Sequence, residues 1–220
     1  MSIATLILGE SGTGKSTSLR HLDPKQTLLI QAVRKPLPFK SKDWKPFNKN
    51  TREGNVIVTD DAALIERAMR TFAHPVVVID DWQYILANEF MRRSDEKGFE
   101  KFTDIGRHAW DILQAASGLS EGRRVYILAH TASDEFGHTK VKTIGKLLDE
   151  KITVEGLFSI VLRTSVSDGS YRFSTRNNGR DTVKSPLGMF DDPFIDNDLA
   201  SVDAAICDFY GIEQQQAQAA

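Results

Sequence analysis

Gly9-Glu10-Ser11-Gly12-Thr13-Gly14-Lys15-Ser16 follows an apolar, β-rich run at residues 3–8 and leads through Thr17 into a helix-like run at 17–22. Every fixed position of G-x-x-x-x-G-K-[ST] is filled, in the strand–loop–helix context that the pattern requires. The glycines let the backbone curl until successive N–H groups converge on one anion. A helix start would add partial positive charge. The spacing predicts a phosphate-cradling loop made of Gly9, Glu10, Ser11, Gly12, Thr13, Gly14, Lys15, Ser16 and Thr17. Lys15 is placed to neutralise the β- and γ-phosphates, and the Ser16 hydroxyl to ligate Mg²⁺. The expected ligands are therefore ATP and Mg²⁺.

Such a site needs an acid at the end of a buried strand. Val76-Val77-Val78-Ile79-Asp80 supplies it, with Asp80 as the second Mg²⁺ ligand. Asp81 follows at once and reads either as a carboxylate that polarises the attacking water or as a helix cap. Residues 125–129 form another buried-type run, ending in His130. If that strand lies between the other two, His130 stands near the terminal phosphate as a sensor; otherwise it is a histidine at a strand end.

Further β-rich runs occupy residues 27–31, 56–59, 158–164 and 171–174, with helical stripes between several of them. Asp60-Asp61 can cap a helix whose apolar face is Leu64, Ile65, Ala68, Met69 and Phe72. Thr103 can cap a second, with Ile105, Ala109, Ile112, Leu113 and Ala116 on one stripe. A third is expected over about 143–157. Strands alternating with helices predict an α/β fold, a mostly parallel sheet flanked by helices. Ser167-Asp168-Gly169-Ser170 is a hairpin turn, so the sheet is expected to end antiparallel. No linker divides residues 1–212, which read as one domain, with 213–220 as a disordered tail.

The chain has 220 residues and a net charge of −2, so any polyanion-binding surface must be local. Its single cysteine, Cys207, excludes an intrachain disulfide and fits a reducing compartment. No basic leader is visible, and the apolar runs fall well short of the roughly 20 residues of a membrane helix. The expectation is a cytoplasmic protein with no membrane association. Five scattered histidines give no zinc pattern.

In order, the sequence shows the glycine-rich loop, the Asp80 strand, a loop and helix, the His130 strand, a loop, a helix and a terminal hairpin. This layout resembles the RecA-like P-loop NTPase core. More closely, it is similar to the small phage ATP-binding proteins of the RecA-core single-strand annealing recombinase group. The closer resemblance rests on Lys142-Thr143-Ile144-Gly145-Lys146-Leu147-Leu148-Asp149 and Thr182-Val183-Lys184-Ser185-Pro186-Leu187-Gly188-Met189-Phe190. It implies an ATPase acting on single-stranded DNA in the host bacterial cytoplasm. It also implies a homo-oligomer, with a single-stranded-DNA-binding protein as a natural partner. Two DNA-facing loops are implied, one around 91–102 with Arg92, Arg93, Lys97, Phe99, Lys101 and Phe102. The other lies around 132–142, with Phe136, His138, Lys140 and Lys142. Lys184, or else Arg180, occupies the place of a basic residue that reaches a neighbour's ATP site.

The sequence departs from the long recombinases twice. The loop begins at residue 9, so their N-terminal subunit-linking segment is not expected. The second strand ends in Gln31-Ala32-Val33 where they carry a catalytic glutamate, leaving Asp81 or Glu10 for that role, or slow hydrolysis. Outside these motifs, Arg34, Lys35, Lys40, Lys42, Lys45, Lys49 and Arg52 alternate with Phe39, Trp44 and Phe47. That pattern suits single-strand binding by charge and stacking, a solvated loop, or a subunit contact. Two other functions remain open: a small-molecule kinase, and a non-hydrolysing ATP-gated adaptor such as a helicase loader or a DNA-packaging accessory.

Overall fold

The computed structural model describes residues 1–213; the expected tail lies, from residue 214 on, outside them. Strand β1 (Ile3–Gly9) leads through the glycine-rich loop to a 3₁₀ segment, Ser16–His21, and then β2 (Thr27–Gln31). After an irregular excursion come β3 (Val56–Val58), α1 (Ala62–Thr71), β4 (Val76–Asp80), α2 (Gln83–Arg92) and α3 (Glu100–Ser117). Then follow β5 (Arg124–Ser133), β6 (Thr139–Val141), β7 (Ile160–Ser167), β8 (Ser170–Ser174), β9 (Phe194–Asp196) and α4 (Leu199–Tyr210).

The sheet runs β3-β2-β4-β5-β1-β7-β8-β9, with β6 paired to β5 alone. Its first six strands are parallel and β8 and β9 antiparallel. The α/β class and the closing hairpin agree with the sequence. Asp168 (φ 50°) and Gly169 (φ 75°) form the left-handed two-residue turn expected there.

Parallel strands covered on both faces must be apolar throughout, and β2 and β4 are buried at all five residues each. Leu6, Leu8, Leu28, Ile30, Val77, Ile79 and Ile127 point to a layer formed by α1, α2 and α3. Ile7, Leu29, Val78 and Leu128 point the other way, to Leu19, Trp44, Leu199, Val202 and Ile206. Each fully buried Leu or Ile contributes roughly 1.5–3 kcal/mol. On this second face, Arg124 at the foot of β5 meets Asp203 of α4 through a two-toothed ion pair, Nε–Oδ1 2.9 Å and Nη2–Oδ2 2.8 Å. The Tyr126 hydroxyl donates to the same carboxylate at 2.5 Å.

Three helical expectations are corrected. The run expected to be helical over 17–22 is a 3₁₀ segment over Ser16–His21, with Leu22 already extended at ψ 140°. So short a segment adds little dipole at the loop. Residues 143–157 form a π segment, Leu147–Lys151, and a 3₁₀ turn, Val154–Leu157, instead of one helix. Gly145 at φ 86° and the β-branched run Ile152-Thr153-Val154 interrupt it. Helix α3 starts at Glu100, ahead of Thr103, just after Gly98 at φ 97°. Helix α1 is capped as expected, Asp61 accepting from Leu64 N at 3.0 Å, but Leu64 itself is half exposed.

The excursion from 32 to 55 returns along the outer edge of β3. Val56 N donates to Lys45 O, and Phe47 N to Val56 O. Its aromatics face inward: Trp44 is in the core, Phe39 meets it edge-on at 6.3 Å, and Phe47 meets Phe72 at 4.7 Å. No helix among the described residues is long and apolar enough to cross a membrane.

Candidate functional site

Strand β5 lies between β4 and β1, which meets the condition set for His130. Gly9 pairs with His130 across one ladder, and Gln31 with Asp80 across another. The sequence-distant residues Gly9, Asp80 and His130 therefore end at one edge of the sheet, where crevices of open α/β folds form.

Within the loop, Gly12 and Gly14 take φ of 80° and 96°. Lys15 Nζ donates to Gly9 O at 2.8 Å and Glu10 O at 2.7 Å. Thr13 Oγ1 donates to Glu10 O at 2.7 Å and lies 2.6 Å from the Thr164 hydroxyl. A Cβ on Gly9 would lie 1.8 Å from Thr164 Oγ1, which also donates to Leu8 O. Gly9→Ala is therefore expected to destabilise the chain by about 2 kcal/mol or more in thermal unfolding. Thr164→Ala should restore part of that loss in the double variant.

Ser16 Oγ donates to both oxygens of Asp80, at 3.0 and 3.1 Å. Asp80 is fully buried. Burial pushes its carboxyl above the ordinary range, and the Asp81 charge adds to this against Lys35, Ser16 and Lys15. Asp81 sits at φ 64°, a left-handed turn that Asp tolerates better than most residues. This turn ends β4 and brings Asp81 to the cleft wall, where it ion-pairs with Lys35 and has His130 Nε2 at 3.5 Å. Burial raises the Asp81 carboxyl, but His130 and Lys35 outweigh it and hold the group below its usual range. Lys35 Nζ also lies 3.8 Å from Asp80 Oδ2. Burial lowers the Lys35 ammonium, and the two carboxylates more than reverse this. Lys15 is lowered to about 8, chiefly by burial.

These groups open on a cleft of about 550 Å³ walled by Ser11, Lys15, Lys35, Tyr84, His130 and Tyr171, among others. Tyr84 meets the His130 ring edge-on at 5.8 Å. Tyr171 packs against Gly14. A second cleft of about 610 Å³, between α1 and α3, holds mainly acids and arginines and none of these groups. The first fits a magnesium-bound nucleotide. A hydroxyl already bonded to a buried carboxylate, beside two ammoniums and a glycine loop, is the donor set such a ligand needs.

Lys35 as a member of the site, with Tyr84 and Tyr171, escaped the sequence reading. The signal for Lys35 was its place four residues beyond the end of a site-bearing strand. Lys184 lies outside the cleft: its backbone pairs with Val161, level with Leu6, well short of Gly9. The loop around 91–102 is largely self-satisfied. Arg92 pairs with Asp60, Arg93 with Glu89, Glu96 and Asp104, and buried Lys101 donates to three carbonyls. Phe99 is 87% exposed. The expected loop at 132–142 is instead a hairpin of β5 and β6, with Phe136 exposed at its tip. Arg34, Lys40, Lys42, Lys45, Lys49 and Arg52 are exposed and make no ion pair among the described residues.

No family model matches this chain, and no curated protein does.

Proposed function

We propose that this chain is a RecA-like P-loop ATPase that binds single-stranded DNA and promotes strand annealing. The observation that carries the reading is the Ser16–Asp80 contact at the mouth of the glycine-rich loop, with β5 and His130 between the two strands. Gly9 to Thr17 would wrap the phosphates, Lys15 would neutralise them, and Ser16 and Asp80 would hold Mg²⁺. When bound, the metal offsets negative charge on the β- and γ-phosphates. Tyr171 offers an aromatic face at the rim for the base. Asp81, held below its usual range by His130 and Lys35, would orient water, with His130 as its partner. Lys184 or Arg180 would act on the site of a second copy in a homo-oligomer.

The DNA part of the reading rests on the exposed cations of the 34–52 excursion and on Phe136 and Phe99. Trp44 and Phe47 pack inward, so the excursion would track phosphates and leave stacking to the exposed rings. A single-stranded-DNA-binding protein is the expected protein partner.

One observation favours an alternative, an ATP-gated adaptor that does not hydrolyse its nucleotide. Gln31, not a carboxylate, ends the strand beside Asp80. The two readings separate in an assay of ATP hydrolysis with and without single-stranded DNA, at low and moderate salt. The ATPase reading predicts a DNA-stimulated rate that falls as salt rises. Tight ATP binding with no turnover under any condition would select the adaptor. Stimulation by a nucleoside rather than DNA would select a kinase.

A further inference from the structure

We propose that Lys35 is a second phosphate-binding lysine of the cleft. Its ammonium alternates between the Asp80–Asp81 pair, where this structure has it, and the terminal phosphate of a bound magnesium–nucleoside triphosphate. The inference rests on the nucleotide-binding reading above and adds a residue that makes the site prefer triphosphate over diphosphate.

The argument starts from competition between cations. Lys35 Nζ contacts Asp81 and lies 3.8 Å from Asp80. Asp80 is the carboxylate that Ser16 already bonds and that a divalent ion would need. An ammonium and a divalent cation repel at that separation, more strongly in a buried site than in water. A metal on Asp80 therefore drives Lys35 away.

Its reachable positions are limited. Pro36 and Pro38 stiffen the chain beyond it, and its carbonyl accepts from Gln31 Nε2 at 3.4 Å. The side chain is 36% exposed, on a flexible four-carbon stem. It lines the same cleft as Lys15, Ser16, Tyr84 and His130. A swing of the side chain alone thus keeps Nζ inside the cleft. The anionic group that would replace Asp81 as its partner is the phosphate nearest His130, the terminal one. A magnesium-bound diphosphate displaces Lys35 from the carboxylates in the same way but offers it no terminal phosphate in return.

The experiment is calorimetric titration of the wild-type chain, Lys35→Ala and Lys35→Gln with Mg-ATP, Mg-ADP and Mn²⁺ alone. Lys35→Gln keeps the length of the side chain without its charge. The wild type should prefer ATP. Both variants should lose roughly tenfold of that preference, the order of one charge-assisted hydrogen bond, with Mg-ADP binding unchanged or tighter because the competing ammonium is gone. Mn²⁺ alone should bind both variants more tightly, because its competitor is gone. An unchanged ATP-to-ADP ratio, or an equal loss of both nucleotides, overturns the role of Lys35 while leaving the site intact. A wild-type chain that binds neither nucleotide overturns the nucleotide-binding reading, and this inference with it.

Discussion

Lys15→Ala is expected to weaken nucleoside triphosphate binding by about a hundredfold or more, with little change in melting temperature. The expected phosphate term is large because, on the proposed reading, a buried ammonium would meet two phosphate groups, and each charge-assisted bond is worth roughly 1.5–3 kcal/mol. The stability term is small because two effects offset. The Gly9 and Glu10 carbonyls lose their donor, but a charge that burial disfavours is also removed. Binding calorimetry beside a thermal melt separates them. The wild type carries a linked pH signature. Lys15 is lowered to about 8, and a bound phosphate favours its charged form. Affinity should therefore be level below about pH 7, fall as Lys15 deprotonates through about 8, and go on falling above that. Without ligand the sign is opposite. Between about 8 and the ordinary lysine value of 10.5, the unfolded chain binds more protons than the folded one, so this group's contribution to stability rises with pH. Affinity that stays level to pH 9.5 would remove Lys15 from the phosphate contact.

Asp203→Ala should have the opposite profile, a large loss of stability with the cleft chemistry intact. The substitution leaves Arg124 charged and 5% exposed, and deprives Tyr126 of its acceptor. Breaking a buried pair from one side costs about 3–5 kcal/mol. For a chain of this size that lowers the melting temperature by on the order of 10 °C. Replacing both partners, Arg124→Met with Asp203→Leu, should cost much less, since no unpaired charge is left inside. If the double replacement is as damaging as the single one, the loss comes from packing rather than from charge.

The difference between these two clusters explains what could be read from the sequence. The glycine-rich loop, the buried runs of β2 and β4, the Asp61 cap and the Asp168-Gly169 turn are local patterns, fixed within a few residues by φ preferences and side-chain alternation. Ser16, Asp80 and His130 came from the same logic plus strand order, and the sheet brings them together. Lys35 did not, because its contact depends on the path of an irregular excursion held down by Trp44 and Phe39. No periodicity encodes that path. Strand β9 is too short to announce itself, and β6 exists only as the partner of β5. Helix α4 carried readable signals: Asp198 caps it, Leu199, Val202 and Ile206 form its buried stripe, and Gly211 ends it at φ 65°.

The excursion alongside β3 also bears on how copies of this chain meet. A sheet border with a free row of amides is a template for a strand from another molecule, and repetition of that event gives fibrillar growth. Here β3 is only three residues long. Val56 already spends its N–H and carbonyl on Lys45 and Phe47, and Pro46 between them has no N–H to present. Lys45, Lys49 and Arg52 are exposed nearby, so a second copy approaching this border brings like charge against like. Sheet continuation from copy to copy is hindered at Val56 on this side, which favours a dispersed protein at high concentration and leaves side-chain surfaces elsewhere to carry any ordered assembly.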